Sequence, residues 1–487
     1  MSARLSALVD GPVPDDPEIV GVTADSRRVK PGFLFAALPG SKVDGRAFVD
    51  AAVAAGAAAV LAPDDVVRAD APVVHAADLR RAYALAAARL RGAQPAVCVA
   101  VTGTNGKTSV AAFCRQIFAR LGRRAASMGT LGVVVSEAGR PDRQLTPPGL
   151  TTPDAADVAG LLADLAGQGV THLALEASSH GIDQRRLDGV RLTAAAFLNL
   201  TQDHLDYHGT MGVYRAAKLR LFETLLPAGA TAVLNAGSDQ FEIFAQAARA
   251  AGQAVFSTGA GGEGLRLVSR RPTPEGQTLT VSHAGGTADI RLPLAGAFQA
   301  DNALAAAGLC IAAGEATDAV LAALEHLRGA PGRLQHVGAG PRGGEAYVDY
   351  AHTPDGLETV LTALRPHTAG RLIVVFGAGG DRDRTKRPLM GAIAERLADV
   401  AIVTDDNPRS EAPAVIRAEV LAGAPGAREI GDRREAIRAG AALLRAGDVL
   451  VVAGKGHEQG QLVAGVTHPF DDVAETAAAL GLETAHA

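Results

Sequence analysis

Short apolar runs bounded by glycine and polar residues recur along the chain. Between them lie longer stretches in which apolar residues return every three or four positions. Up to about residue 92, runs such as AAVLAP and VVHAA alternate with an alanine-rich helical pattern and end at RLRGAQPA, where Gly and Pro mark a linker. This predicts a small α/β domain over 1–92. From AVCVAVTG onward, THLALEAS, AAAFLNL and ATAVLNA read as buried strands between helical stretches. That is the rhythm of a parallel sheet covered by helices, and it predicts a central domain over 93–332. After GAPGRLQ the rhythm restarts with AYVDYAH, RLIVVFGAGG, DVAIVTDD and DVLVVAGKG, which predict a third α/β domain over 333–487. Each of these last strands runs into a polar or Gly-rich loop, where open α/β sheets place their ligands.

Length agrees with several domains, since 487 residues exceed the ~250 to 300 at which a single core stops growing. The net charge of −5, with no run of five like charges, argues against a nucleic-acid or membrane-surface partner and favours small molecules. Cys98, Cys114 and Cys310 are widely spaced without a CxxC pair and no secretory leader is read, so reduced thiols in a cytoplasm are expected. The most apolar stretch, AAVAAGAAAVLAP, falls well short of the ~20 residues of a membrane span.

One loop carries a specific chemical signal. In VAVTGTNGKTS an apolar strand leads into Gly103, Thr104, Asn105, Gly106, Lys107, Thr108 and Ser109, and a helical pattern follows. Glycines let backbone N–H groups curl around phosphate, and the helix N-terminus favours negative charge. Lys107 can neutralise the phosphate and the Thr108 hydroxyl can reach Mg²⁺. Val101 stands where the standard nucleotide loop has its first Gly, and no NKxD base-reading motif is found, so ATP is favoured over GTP.

Other polar residues remain open on spacing alone. Glu176 ends the strand-like THLALE, where a carboxylate suits Mg²⁺ but reads equally as a solvated loop acid. His204 and His208 lie four apart, a zinc-ligand spacing that the following Gly209 and the missing HExxH pattern weaken. A buried, hydrogen-bonded role for His208 is as good a reading. Lys218 sits in a helical stretch with Leu219, Leu221 and Phe222 and would by itself be a snorkelling surface lysine.

Taken together, TGTNGKTS, TTP, EASSHG, DHLDYHG, YRAAKLRLF, DYAHTPDGL, GAGGDRDRTKRPLMG, DDNPRSE and GKGHEQG occur in an order that resembles the Mur ligase family of ATP-dependent amide-forming enzymes, over residues 21–472. The resemblance implies a three-domain α/β fold: a small N-terminal UDP-binding domain, a central ATP-binding domain of phosphate-loop type, and a C-terminal Rossmann-like domain for the incoming amino acid. It implies ATP as co-substrate, two Mg²⁺ ions, and a CO₂-derived carbamate on Lys218 (N6-carboxylysine) that turns a cation into an oxygen ligand. Glu176 and His204 would join that carbamate as Mg²⁺ ligands, with Thr108 serving the ATP-bound ion. Asn302, Arg333 and Asp349 match nucleotide-contacting positions, and domain closure would be needed to bring the last two to the ATP. The uridine end is matched by Ala24, Ser26, Ser41, Lys42 and Val43, and the muramoyl-dipeptide by Thr151, Thr152, Ser178, Gln184 and Arg186.

Within the family the strings match the branch that adds the third residue of the peptidoglycan stem peptide to UDP-N-acetylmuramoyl-L-alanyl-D-glutamate through an acyl phosphate. Asp406, Asn407, Pro408 and Arg409 resemble the members that use meso-2,6-diaminopimelate, whose far carboxylate a guanidinium can grip bidentately. Pro408 fixes its own φ and holds Asn407 extended. Arg387, Gly454 and Glu458 would complete the pocket, Glu458 meeting the far ammonium. Without the resemblance, a surface ion pair with Glu411 stays open as a reading of Arg409. A cytoplasmic monomer serving cell-wall synthesis is expected. The rivals are an L-lysine-adding relative, which would replace DNPR, a folylpolyglutamate synthetase, which would lack DDNPR and the N-terminal domain, and a nucleotide-binding module without chemistry.

Overall fold

A computed structural model describes residues 2–13, 15–40, 43–68, 70–273 and 275–482. Contacts divide the chain into two units, one of residues 1–266 with 304–320 and one of residues 267–303 with 321–487. Among the described residues no helix is long and apolar enough to cross a membrane.

The first unit begins with four parallel strands, Gly21–Thr23, Phe33–Ala36, Ala57–Ala62 and Val73–His75, in that spatial order. Leu34, Ala36, Ala59 and Leu61 on one face pack with Tyr83, Ala86 and Leu90 of the helix Leu79–Arg91. Six further parallel strands follow, in the spatial order Ala125–Gly129, His172–Glu176, Val97–Thr102, Ala194–Phe197, Thr231–Asn235 and Ala254–Gly259. Strand Val97–Thr102 is thus flanked by later strands on both sides, and its neighbours' registers set Glu176 beside Val101 and Phe197 beside Thr102. Their side chains are buried on both faces, as the near-continuous apolar runs require. The loops after these strands therefore gather at one sheet edge.

Where the sequence pattern suggests helices and parallel strands up to residue 332, the chain instead builds antiparallel structure. Strand Leu265–Thr273 carries it into the second unit, and Gly276–His283 pairs antiparallel with Gly286–Leu292. These strands are half-exposed and carry polar residues at alternate positions, so they lack the apolar run that marked the buried strands.

The sheet of the second unit runs Gln335–Ala339, Glu345–Asp349, Val449–Ala453, Leu372–Phe376, Val400–Val403 and Arg428–Glu429, parallel throughout except for the first pair. Leu357, Leu361, Leu364 and Met390 cover one face, and Ile437, Ala441 and Leu480 the other. Asp349 pairs in register with Ala453. The loops following Asp349, Phe376, Val403 and Ala453 consequently leave the sheet at the same edge.

Candidate active site

In the first unit the phosphate loop is shaped by two glycines with positive φ, Gly103 (157°) and Gly106 (92°), and the helix Lys107–Arg120 starts directly after it. Asn199 staples the loop, its Oδ1 accepting from Asn105 N at 2.9 Å and its Nδ2 donating to Asn105 O at 3.2 Å. Lys107 Nζ donates to the carbonyls of Gly103 and Thr104, both at 2.8 Å. The next residue, Thr108, donates its hydroxyl to Glu176 Oε2 at 3.0 Å. Glu176 is buried and also accepts from Thr130 N at 2.9 Å. A Cβ on Gly129 would meet the Glu176 carboxylate at 2.1 Å, so only glycine leaves room for it there.

Lys218 is 1% exposed, near the end of the helix Met211–Arg220, which then widens into a π-turn over Leu221–Leu225. Its Nζ donates to Gly103 O at 2.8 Å and stands 4.4 Å from the centre of the Tyr214 ring. Burial first, and the nearby Lys107 charge second, hold this amine well below the usual lysine range. A lysine that local pattern places at the surface is thus buried against the phosphate loop. Tyr214 reaches Thr104 Oγ1 at 3.2 Å, and burial pushes its hydroxyl up to about 12.

The histidines behave differently from one another. His208 is buried and bonds Ser179 Oγ through Nε2 at 3.0 Å, the structural role that was one of its two readings. His204 has φ 53°, is half-exposed, and lies 3.4 Å from Asp203. His180 stands between them, ring centres 4.8 Å from His204 and 5.4 Å from His208. Among the described residues no three His, Cys, Asp or Glu side chains are assembled for a metal. One carboxylate and one hydroxyl, Glu176 and Thr108, instead offer the hard oxygen donors that suit Mg²⁺, which draws its other ligands from water and phosphate.

The residues matched to the dipeptide converge. Thr152 Oγ1 donates to Glu176 O at 3.0 Å and pairs with Ser178 Oγ at 2.9 Å, while Thr151 Oγ1 lies 2.9 Å from Thr130 Oγ1. Arg186 donates to Thr152 O and to Gln184 Oε1, both at 2.6 Å, and burial pulls its guanidinium below its ordinary value. Ser26 opens a short turn in which Arg28 pairs with Asp157 at 2.8 Å, while Tyr83 donates to Asp154 at 2.5 Å. The first bond ties the turn, and the second the helix Leu79–Arg91, to the segment that follows Thr152. Val43 is exposed, and Ser41 and Lys42 lie outside the described residues.

In the second unit, Asn302 donates to Gln299 Oε1 at 3.2 Å, and Gln299 donates to Arg333 O at 3.2 Å. The Arg333 guanidinium stands over the Tyr350 ring at 4.8 Å. Asp349 accepts from Leu334 N at 2.6 Å and Ala351 N at 2.8 Å, yet burial outweighs Arg333 and these bonds and lifts it to about 6. The three residues matched to the nucleotide are therefore linked through Gln299 and Leu334.

The Asp406–Arg409 loop is fastened to the loop after Ala453. Asn407 Oδ1 accepts from Lys455 Nζ and from Leu462 N, both at 2.9 Å, and Nδ2 donates to Glu458 Oε2 at 2.8 Å. Asp406 Oδ2 is buried and, among the described residues, has no hydrogen-bond partner; it lies 2.5 Å from where a Cβ on Gly454 would stand. Arg409 has φ 53°, a conformation disfavoured for a residue with a side chain, held by Arg409 N to Leu462 O (3.0 Å) and Ala464 N to Arg409 O (2.7 Å). Its guanidinium gives one bond to Gly380 O at 2.7 Å and, among the described residues, has no carboxylate within ion-pair distance. Glu411 is not its partner. Arg387, 0% exposed, takes Glu411 at 2.8 Å and Glu419 at 2.7 Å. Arg387 thus ties Glu411, two residues beyond Arg409, to Glu419 and to Gly379 O.

Profile models of three domains match in chain order: Mur ligase family, catalytic domain over residues 18–91, Mur ligase middle domain over 101–310, and Mur ligase glutamate ligase domain over 332–456. The chain belongs to the Mur ligase family. This Mur ligase is 72% identical over 481 residues, 99% of both chains, to the UDP-N-acetylmuramoyl-L-alanyl-D-glutamate–2,6-diaminopimelate ligase of Caulobacter vibrioides. It is 55% identical over 466 residues to the enzyme of the same name from Brucella melitensis, covering 95% of this chain and 94% of that one. A solved structure of a UDP-N-acetylmuramoyl-L-alanyl-D-glutamate–2,6-diaminopimelate ligase superposes with a TM-score of 0.74 at 35% identity, covering 99% of each chain.

Several residues of this Mur ligase's site escape sequence reasoning. Lys455 was visible in GKGHE, but nothing local says that it is fully buried against Asn407. Asn199, Tyr214, Gln299 and Tyr350 act through partners remote in sequence, and the only local signal was a polar or aromatic residue near a strand end or in a helix.

Proposed function

We infer that this chain is an ATP-dependent ligase that joins meso-2,6-diaminopimelate to UDP-N-acetylmuramoyl-L-alanyl-D-glutamate, a step of peptidoglycan precursor synthesis. Its relatives' names speak of that dipeptide and of 2,6-diaminopimelate. The observation that carries the choice of amino acid is Arg409, a guanidinium that among the described residues has no carboxylate partner although Glu411 is two residues away. Meso-diaminopimelate brings a carboxylate to its far end. Lysine does not, and a site built around such a group rejects the analogue that lacks it by ~10⁴ to 10⁵. Asp406, with an unpartnered buried oxygen, and Glu458 offer anionic acceptors for ammonium groups. Gly454 leaves room for Asp406, Pro408 shapes the loop, and Arg387 holds it through Glu411.

The reaction follows from the electrophile. A carboxylate resists attack by an amine until one oxygen carries a phosphoryl group, so the D-glutamate γ-carboxylate takes the γ-phosphoryl of ATP and ADP leaves. The amine of diaminopimelate then attacks the acyl carbon, phosphate departs, and the amine loses a proton. Gly103–Ser109 would cradle the phosphates, with Lys107 released from its two carbonyls to neutralise them. Asn302, Arg333 and Asp349 would hold the nucleoside. Ala24, Ser26, Ser41, Lys42 and Val43 would hold the uridine nucleotide, and Thr151, Thr152, Ser178, Gln184 and Arg186 the muramoyl-dipeptide.

Thr108 and Glu176 would hold Mg²⁺, with His204 and a carbamate of Lys218 as further ligands, and the metal supplies positive charge between two reacting anions. Support for the carbamate is the buried amine itself. Held below its ordinary range, Lys218 is available as a neutral nucleophile whose nitrogen adds to the carbon of CO₂ and gives up a proton. The division of labour would follow residues 1–92, 93–332 and 333–487, in a chain acting as a cytoplasmic monomer. The reading is tested by supplying the chain with ATP, Mg²⁺, the UDP-dipeptide and meso-diaminopimelate and weighing the product. A UDP-tripeptide formed with one phosphate released is expected, and no product, or ATP consumed without the UDP-dipeptide, overturns it.

A further inference from the structure

We propose that Lys455 is a positioning residue of the amino-acid pocket: it decides which way round the Asn407 amide stands and which oxygen of Glu458 is left for the ligand. The proposal rests on the reading that this pocket receives the acceptor amino acid. Lys455 follows the strand Val449–Ala453 and is 0% exposed. A buried ammonium is costly unless its hydrogens are taken up. Two of the three on Lys455 go to Asn407 Oδ1 at 2.9 Å and Glu458 Oε2 at 3.2 Å.

An amide has a donor end and an acceptor end, whereas an ammonium only donates. Lys455 therefore admits one orientation of Asn407, with the oxygen inward, where Leu462 N also finds it at 2.9 Å. The Asn407 Nδ2 must then face the other way, and it reaches Glu458 Oε2 at 2.8 Å. That oxygen now has two donors. Among the described residues nothing donates a hydrogen bond to Oε1 of the same carboxylate, and the side chain is 34% exposed. Oε1 is thus the oxygen presented to an ammonium of the ligand.

The test varies each substrate of the full-length chain in turn, for wild type, Lys455→Met and Lys455→Gln. Lys455→Met keeps the length of the side chain and loses its charge and donors. Its KM for meso-diaminopimelate is expected to rise roughly 10- to 100-fold, the effect of losing a hydrogen bond to a charged group. Its KM for ATP and for the UDP-dipeptide should stay within about twofold, because uniform damage to the fold would move all three. Lys455→Gln, which keeps one donor, should fall between wild type and Lys455→Met. It also carries the test by the same criterion where thermal denaturation shows that Lys455→Met does not fold. An unchanged KM for diaminopimelate, or an equal rise for all three substrates, overturns the role of Lys455 alone. A wild-type chain that makes no product from diaminopimelate overturns the reading of the pocket, and this role with it.

Discussion

Around the phosphate loop the two lysines turn onto backbone carbonyls, Lys107 onto Gly103 and Thr104 and Lys218 onto Gly103. Around Asn407 the charged and polar side chains hold one another instead, through Lys455, Glu458, Arg387, Glu411 and Glu419. The difference matches what each region must recognise. A phosphate chain is a uniform anion, and a loop of backbone N–H groups with a movable cation suffices for it. On the proposed reading, an amino acid distinguished from its analogues by one carboxylate calls for a fixed array that keeps a cation for that carboxylate, and Arg409 would be that cation. On that reading, phosphate binding would draw mainly on main chain, and selection on side chains locked by other side chains.

Replacing the phosphate-loop lysine partner strikes the first region hardest. Lys218→Ala removes the buried amine and is expected to lower kcat by about a thousandfold or more, as loss of a central electrostatic group does, with no recovery on adding bicarbonate. A restored rate would show that the side chain at this position is dispensable. In the second region, Arg409→Lys keeps the charge but not the planar fork, and kcat/KM for meso-diaminopimelate should drop about a hundredfold with little gain for lysine. An unchanged kcat/KM would take Arg409 out of the pocket and erase the contrast.

A pH experiment sharpens the comparison within the second unit. Burial lifts Asp349 to about 6, above the ~3.9 of an unfolded chain. Between those values the folded chain binds the extra proton, so the stability this group contributes is present near the lower value and is lost as pH rises through about 6. Thermal midpoints of wild type and Asp349→Asn should therefore diverge with rising pH, wild type falling relative to the variant, and parallel curves would exclude the shift. The smallest effect belongs to a pair outside both regions. Arg438 and Glu435 are more than half exposed and three residues apart on a helix, so Arg438→Ala should move the midpoint by no more than about 2 °C.

How far the sequence reached depends on the range over which each residue acts. The phosphate loop was legible because strand, glycines, lysine and helix are consecutive, and the buried strands because their apolar runs are continuous. The antiparallel strands of 265–292 were not, since half-exposed strands carry no such run. Lys218 looked like a surface lysine because its partner, Gly103 O, is 115 residues away and the apolar neighbours of the helix gave no hint of the direction of its side chain. The bland alternative for Arg409, an ion pair with Glu411, rested on proximity in sequence alone, and the fold gave that glutamate to Arg387. Lys455 was passed over in its glycine-rich string because burial at a loop is decided by what folds over it.

The most direct test of the account sets two acceptors against each other. Phosphate release is followed with ATP and the UDP-dipeptide at saturation while meso-diaminopimelate or L-lysine is varied. The unmatched guanidinium of Arg409 predicts a kcat/KM ratio of ~10⁴ in favour of diaminopimelate. Equal values for the two amino acids, or phosphate released as fast with neither, would contradict it.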